Sequence, residues 1–164
     1  MKLTKEQLMV QKMAREFARK ELAELAMQRD ENKEYPLESL RKMGDLGLLG
    51  MLVPEEYGGA NLGTVAYSLA LTEIAYACAS TAVIMSVHNS IVCGSFVKYG
   101  TEEQKQKYLV PLAKGEIIGS FALSEPEAGS DPAGMTASAE EDGDYYLLNG
   151  TKRWITGGAT SDIF

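Results

Sequence analysis

Two short segments concentrate the side chains able to do chemistry. Residues 121–131 read Phe121-Ala122-Leu123-Ser124-Glu125-Pro126-Glu127-Ala128-Gly129-Ser130-Asp131, and residues 154–158 read Trp154-Ile155-Thr156-Gly157-Gly158. In the first, Pro126 and Gly129 shape a turn, and Ser124, Ser130 and nearby N–H groups supply donors. Such a concavity can hold a pyrophosphate or the carbonyl edge of a ring. In the second, side chains two apart share one face of an extended strand, so Lys152, Trp154 and Thr156 are expected on one face and Arg153 and Ile155 on the other. An indole beside a hydroxyl suits an aromatic heterocycle, one group stacking and the other hydrogen-bonding a ring nitrogen. Each segment alone has an ordinary alternative: a sandwich-core Trp with a satisfied Thr, and a capped surface loop. Taken together they suit one flat, phosphate-bearing cofactor.

The elements that must position these segments change character along the chain. Thr4 with Gln7 fits a capping box, and a helical apolar stripe follows through Met9, Met13, Phe17, Ala18, Leu22 and Leu25, predicting a helix to about Arg29. Pro36 suits a first-turn position of a short second helix carrying Leu37, Leu40 and Met43. Residues 53–59 form a loop, because Pro54 and Gly58-Gly59 break both regular structures. Thr64 is expected to cap a third helix through Tyr67, Leu71 and Ile74. A fourth, apolar nearly all round and therefore central, runs from Ser80 or Thr81 to Tyr99. Thr101 with Gln104 opens a charged fifth helix, and Pro111 a last short turn.

From residue 116 the pattern turns to strand. Residues 117–123 read as one strand, and 136–139 alternate weakly. Asn149-Gly150, between 145–148 and 152–156, predicts a hairpin with a type I′ turn. The expected fold is thus a mainly α N-terminal domain over 1–115, followed by the start of an antiparallel β domain over 116–164. So small an open sheet makes a poor independent unit, which predicts the front part of a longer protein.

Composition excludes some functions. The chain has 164 residues, 45% of them hydrophobic, and a net charge of −7. That charge argues against a nucleic-acid binder, which needs a basic face. Cys78 and Cys93 stand apart without metal-ligand spacing, which fits free core thiols in a cytoplasmic protein. Residues 74–97 hold no Asp, Glu, Lys or Arg and are long enough to span a bilayer. His88, Asn89 and several Ser and Thr residues within them favour a buried helix pair of a bundle over a membrane span. The lone His88 is expected to be a satisfied core or groove residue, and Glu73 to be paired.

In this order the motifs resemble the acyl-CoA dehydrogenase family, of the short- or medium-chain, butyryl-CoA dehydrogenase-like kind. The resemblance rests on Pro54-Glu55-Glu56-Tyr57-Gly58-Gly59, Tyr99-Gly100-Thr101-Glu102-Glu103-Gln104-Lys105, Leu123-Ser124-Glu125-Pro126-Glu127-Ala128-Gly129-Ser130-Asp131, Leu148-Asn149-Gly150-Thr151-Lys152 and Trp154-Ile155-Thr156. It implies an N-terminal α domain, a middle β domain and a C-terminal helical bundle, the chain ending before that bundle. It also implies FAD, an acyl-CoA substrate dehydrogenated to a trans-2-enoyl-CoA, electrons passing to electron-transfer flavoprotein, and a homotetramer. By the resemblance, Phe121, Leu123 and Ser124 contact the flavin, and Gly129 and Ser130 lie along its phosphates and the CoA arm. Trp154 packs on the isoalloxazine, with Ile155 in the same segment, and Thr156 bonds near N5. Val87 and Ile91 line the acyl pocket. The catalytic glutamate is expected in the C-terminal domain, so this chain alone is expected to be inactive, and Glu125 belongs to loop structure. Glu127 stands where many members have Gly. An acyl-CoA oxidase or flavin monooxygenase of the same fold, or a non-catalytic helical interaction protein, are the alternatives.

Overall fold

The computed structural model describes residues 2–164. The helical part begins as expected: the Thr4 hydroxyl accepts from the Gln7 N–H at 3.1 Å and the Gln7 side chain accepts from the Thr4 N–H at 3.0 Å, opening α1 (Lys5–Phe17). The chain then widens into one π-wound stretch, Ala18–Leu22, and turns before α2 (Ala26–Asn32), so the single helix expected to Arg29 is divided. The wider winding slows the rotation per residue and keeps Ala14, Ala18 and Leu22 on one face, all of them buried. Pro36 stands just before α3 (Leu37–Asp45), where its missing N–H costs nothing.

Thr64 does not cap the third helix. α4 (Gly63–Ala77) starts one residue earlier at Gly63, whose φ of +74° favours glycine, and no side chain caps it. Cys78, extended at φ −154°, breaks the chain before α5 (Ala79–Ser86). α5, a π-wound Val87–Cys93 and α6 (Gly94–Tyr99) form one continuous helix, Ala79–Tyr99. By length and composition this helix could cross a membrane. Here Thr81, Ala82, Met85, His88, Asn89 and Val92 are buried against the rest of the bundle. A second capping box, Thr101 with Gln104, opens α7 (Glu102–Gln104), which continues through a π-wound Lys105–Leu109 into α8 (Val110–Ala113). Tyr57 ties the preceding loop to this surface helix through a 2.9 Å bond to Glu102.

Asn89 and Glu73 are satisfied by named partners, whereas the buried Tyr67 hydroxyl has none among the described residues. Asn89 accepts from the Met51 N–H at 2.9 Å and donates to the carbonyls of Leu48 and Met85. Glu73 takes two bonds from Arg15 and one from Gln11, as its position in an apolar helix requires, and these hold its carboxyl below the usual range. Both cysteines are free, and burial pushes the Cys93 thiol up to about 12.

After α8 the chain runs extended, but residues 117–123 make only one bridge, between Gly119 and Ile163, which run parallel. The hairpin forms elsewhere than expected. β1 (Ser138–Asp142) pairs antiparallel with β2 (Tyr145–Asn149), and the register from Asp142↔Tyr145 to Ser138↔Asn149 puts the tight turn at Gly143-Asp144. Gly143, at φ +62°, supplies the left-handed conformation such a turn demands. Gly150 instead ends the ladder: at φ +145° it lies so close to Ala137 that an added Cβ would come within 2.6 Å of that residue's own Cβ. Residues 152–156 are consequently no strand. Trp154 has a left-handed φ of +60°, which breaks the alternation that would have set Lys152, Trp154 and Thr156 on one face. The observed architecture is a helical N-terminal portion followed by a short antiparallel two-stranded sheet.

Candidate functional site

Although no strand carries it, the second segment lies directly beside the first. The Arg153 N–H donates to the Ser124 carbonyl at 2.8 Å. One residue earlier, the Lys152 ammonium donates to the Leu123 carbonyl at 3.1 Å and pairs with Glu125 at 2.8 Å. Farther along, the Ser120 hydroxyl donates to the Thr156 carbonyl and lies 2.6 Å from the Ser161 hydroxyl. Four hydrogen bonds thus hold 120–125 against 152–156, three from Lys152 and Arg153 at one end and one from Ser120 at the other.

Glu125 organises the turn. Its own N–H donates to the Ala128 carbonyl at 2.8 Å and its carbonyl accepts from the Ala128 N–H at 3.3 Å, so Pro126 and the exposed Glu127 sit at the corner of a closed turn. Its side chain, 3% exposed, accepts from the Thr136 N–H at 2.6 Å, the Thr136 hydroxyl at 3.1 Å, the Ala137 N–H at 3.1 Å and Lys152. The Lys152 hydrogen bond, with those from Thr136 and Ala137, outweighs burial and holds the carboxyl down at about 2. So weak a base, already occupied on both oxygens, is unsuited to removing a proton from carbon. Beyond it, Gly129 and Ser130 are exposed, with no heavy atom within 4 Å of a Cβ placed on Gly129. Asp131 accepts from the Ala133 N–H at 3.1 Å and ends the turn.

Three large apolar side chains on these adjoining segments face solvent: Phe121 (42% exposed), Leu123 and Trp154 (84% exposed). Trp154 is therefore no sandwich-core residue; the Arg153 guanidinium lies 5.2 Å from its ring centroid. Ser124, Ile155 and Thr156 are half-buried. Gly157, at φ +76°, admits the Tyr35, Ser120 and Ser161 hydroxyls, each within about 3 Å of where a Cβ would stand. A cleft of about 500 Å³ opens beside Phe121, between Ser120–Ala122 and the hairpin residues Ala137, Ser138 and Leu148. Exposed apolar side chains on two adjoining segments, beside a small-residue turn, suit a flat ring with a phosphate tail such as FAD.

Val87 and Ile91 lie on neither of these segments. Both lie on the π-wound turn of helix Ala79–Tyr99, Val87 half-buried against the apolar core and Ile91 exposed. The helix meets the chain just before the first segment, where Val92 crowds Gly119 and His88 accepts from its amide. Ser120, Ser161 and Tyr35 escaped the sequence reading. Ser120 directly precedes the motif, and the other two come close only because the chain folds back at Gly157.

Residues 4–116 match the family described as acyl-CoA dehydrogenase, N-terminal domain, and residues 120–164 match acyl-CoA dehydrogenase, middle domain. The short-chain-specific acyl-CoA dehydrogenase of Clostridium acetobutylicum is 45% identical over 162 residues, which are 99% of this chain and 43% of that protein. Among solved structures, butyryl-CoA dehydrogenase from Megasphaera elsdenii superimposes with a TM-score of 0.92 at 36% identity, covering 99% of this chain and 43% of that one. A glutaryl-CoA dehydrogenase from Mycobacterium smegmatis, solved in complex with FADH2, does so with a TM-score of 0.93 at 38% identity, covering 98% and 41%. The chain spans about two fifths of the length of the relatives it matches. Over that span it belongs to the acyl-CoA dehydrogenase family.

Proposed function

We propose that this chain is the flavin-binding front of an FAD-dependent acyl-CoA dehydrogenase acting on short to medium acyl chains in the cytoplasm. In this reading the full-length protein is a homotetramer without a membrane span that passes electrons to electron-transfer flavoprotein. The observation that supports the reading is the lacing of 120–125 to 152–156, which sets the segment of Phe121, Leu123 and Ser124 beside the segment of Trp154 and Thr156.

When bound, FAD accepts the hydride that leaves the β carbon of the thioester. The residues of this chain bind and orient. Ser124 meets the pyrimidine edge of the ring, Trp154 and Ile155 pack against it, and Thr156 bonds near N5. The open backbone at Gly129 and the Ser130 hydroxyl lie along the phosphates and the CoA arm. Val87 and Ile91 bound the acyl chain. With Glu125 occupied and His88 buried, the base that removes the α proton is expected outside these residues.

The test is spectroscopic. Full-length protein should purify yellow, and anaerobic butyryl-CoA should bleach its visible flavin absorbance, which electron-transfer flavoprotein then restores. A colourless product, or a flavin indifferent to acyl-CoA, contradicts the reading. Rapid reoxidation by dioxygen with no need of electron-transfer flavoprotein indicates the oxidase of the same fold.

A further inference from the structure

Glu125 is an unusual residue to bury in a loop. Its carboxylate is almost wholly enclosed and receives hydrogen bonds from Thr136, Ala137 and Lys152, three points spread over both sides of the hairpin. Lys152 in turn makes a second bond to the Leu123 carbonyl. Its ammonium therefore bridges the side chain of one residue of the first segment and the backbone of another. The next residue along each segment completes the junction, as Arg153 N–H meets the Ser124 carbonyl. No other ion pair among the described residues joins these two segments.

We propose that Glu125 and Lys152 are a positioning pair that fixes the register of the Trp154 segment against the Ser124 turn, and through it the attitude of the flavin ring. The role rests on the flavin reading above, and neither residue touches the reacting atoms. Removing Lys152 leaves the enclosed Glu125 carboxylate without its countercharge, and neutralising Glu125 removes the ion pair, so the two segments part locally while the helical core, which contains neither residue, keeps its packing.

The experiment compares full-length wild type with Glu125→Gln, Lys152→Met and the double variant. Amide hydrogen exchange at Arg153, exchange at helical-core amides, the visible flavin spectrum and the FAD dissociation constant are read for each. Expected is an Arg153 amide that exchanges roughly tenfold faster or more in each single variant, with core amides unchanged. The flavin band should shift and FAD should bind roughly tenfold more weakly, and the double variant should lose little more than either single one. Unchanged Arg153 exchange overturns the proposal, as does uniformly faster exchange across core and loop with an unaltered flavin spectrum. Additive losses in the double variant also overturn it, since they show two independent roles. Should wild type itself prove colourless, the flavin reading fails, and the brace between the segments is still decided by the Arg153 amide alone.

Discussion

His88 Nδ1 accepts the Gly119 N–H at 3.4 Å, two residues before the first segment begins, while its other ring nitrogen meets the Leu112 carbonyl at 2.9 Å. Because one neighbour is a donor and the other an acceptor, the ring must be neutral with its proton on Nε2. A π-wound turn of the central helix thus pins the point where the chain leaves the helices for the site.

This fixes a pH dependence. Burial pushes the His88 pKa below its ordinary value, against the smaller opposing effect of the Leu112 bond. The unfolded chain therefore binds the proton more readily than the folded one. The stability contributed by neutral His88 is fully present above the unfolded value of about 6.5 and is lost as pH falls through and below it. Denaturant midpoints measured from neutral to mildly acidic pH should fall in wild type and fall less in His88→Gln.

Asn89 carries a larger burden. Asn89→Ala leaves the Met51 N–H and the Leu48 carbonyl buried without partners, and should cost about 2–4 kcal/mol in chemical denaturation. A loss below about 0.5 kcal/mol would show that water replaces the side chain.

Trp154 and Gly129 should behave in the opposite way. Trp154→Ala removes an exposed ring and Gly129→Ala adds a methyl group to open space, so each should change stability by no more than about 0.5 kcal/mol. Both should nonetheless weaken FAD retention after gel filtration, because the account places the ring on one and the phosphates against the other.

Gly157→Ala should damage both. Its φ of +76° and the hydroxyls of Ser161, Tyr35 and Ser120 at 2.7, 2.9 and 3.0 Å from an added Cβ leave no room. A loss of about 1–3 kcal/mol, measured by thermal or denaturant unfolding, is expected together with release of FAD.

The parts of this chain governed by local chemistry were legible in its sequence. Both capping boxes form because Thr4 and Thr101 need only a Gln three residues on. The satisfied states of His88 and Glu73 followed from burying polar groups in apolar helices. The hairpin was misplaced because Asp142-Gly143 is a turn signal as well as Asn149-Gly150, and which wins depends on pairing partners: Ala139 opposite Leu148 closes the ladder at Gly143. The shared strand face of Trp154 and Thr156 failed for a related reason. Once Gly150 ends the ladder, side-chain bonds from Lys152 and Ser120 hold the segment in place of a strand partner, and no periodicity announces them.

The most direct test is a crystal structure of the full-length protein with its flavin bound. Expected is the isoalloxazine against Trp154, its pyrimidine edge at Ser124 and its N5 side at Thr156, with the phosphates passing Gly129 and Ser130. Flavin density remote from these residues, or protein atoms filling the space in front of Trp154 and Ser124, would contradict it.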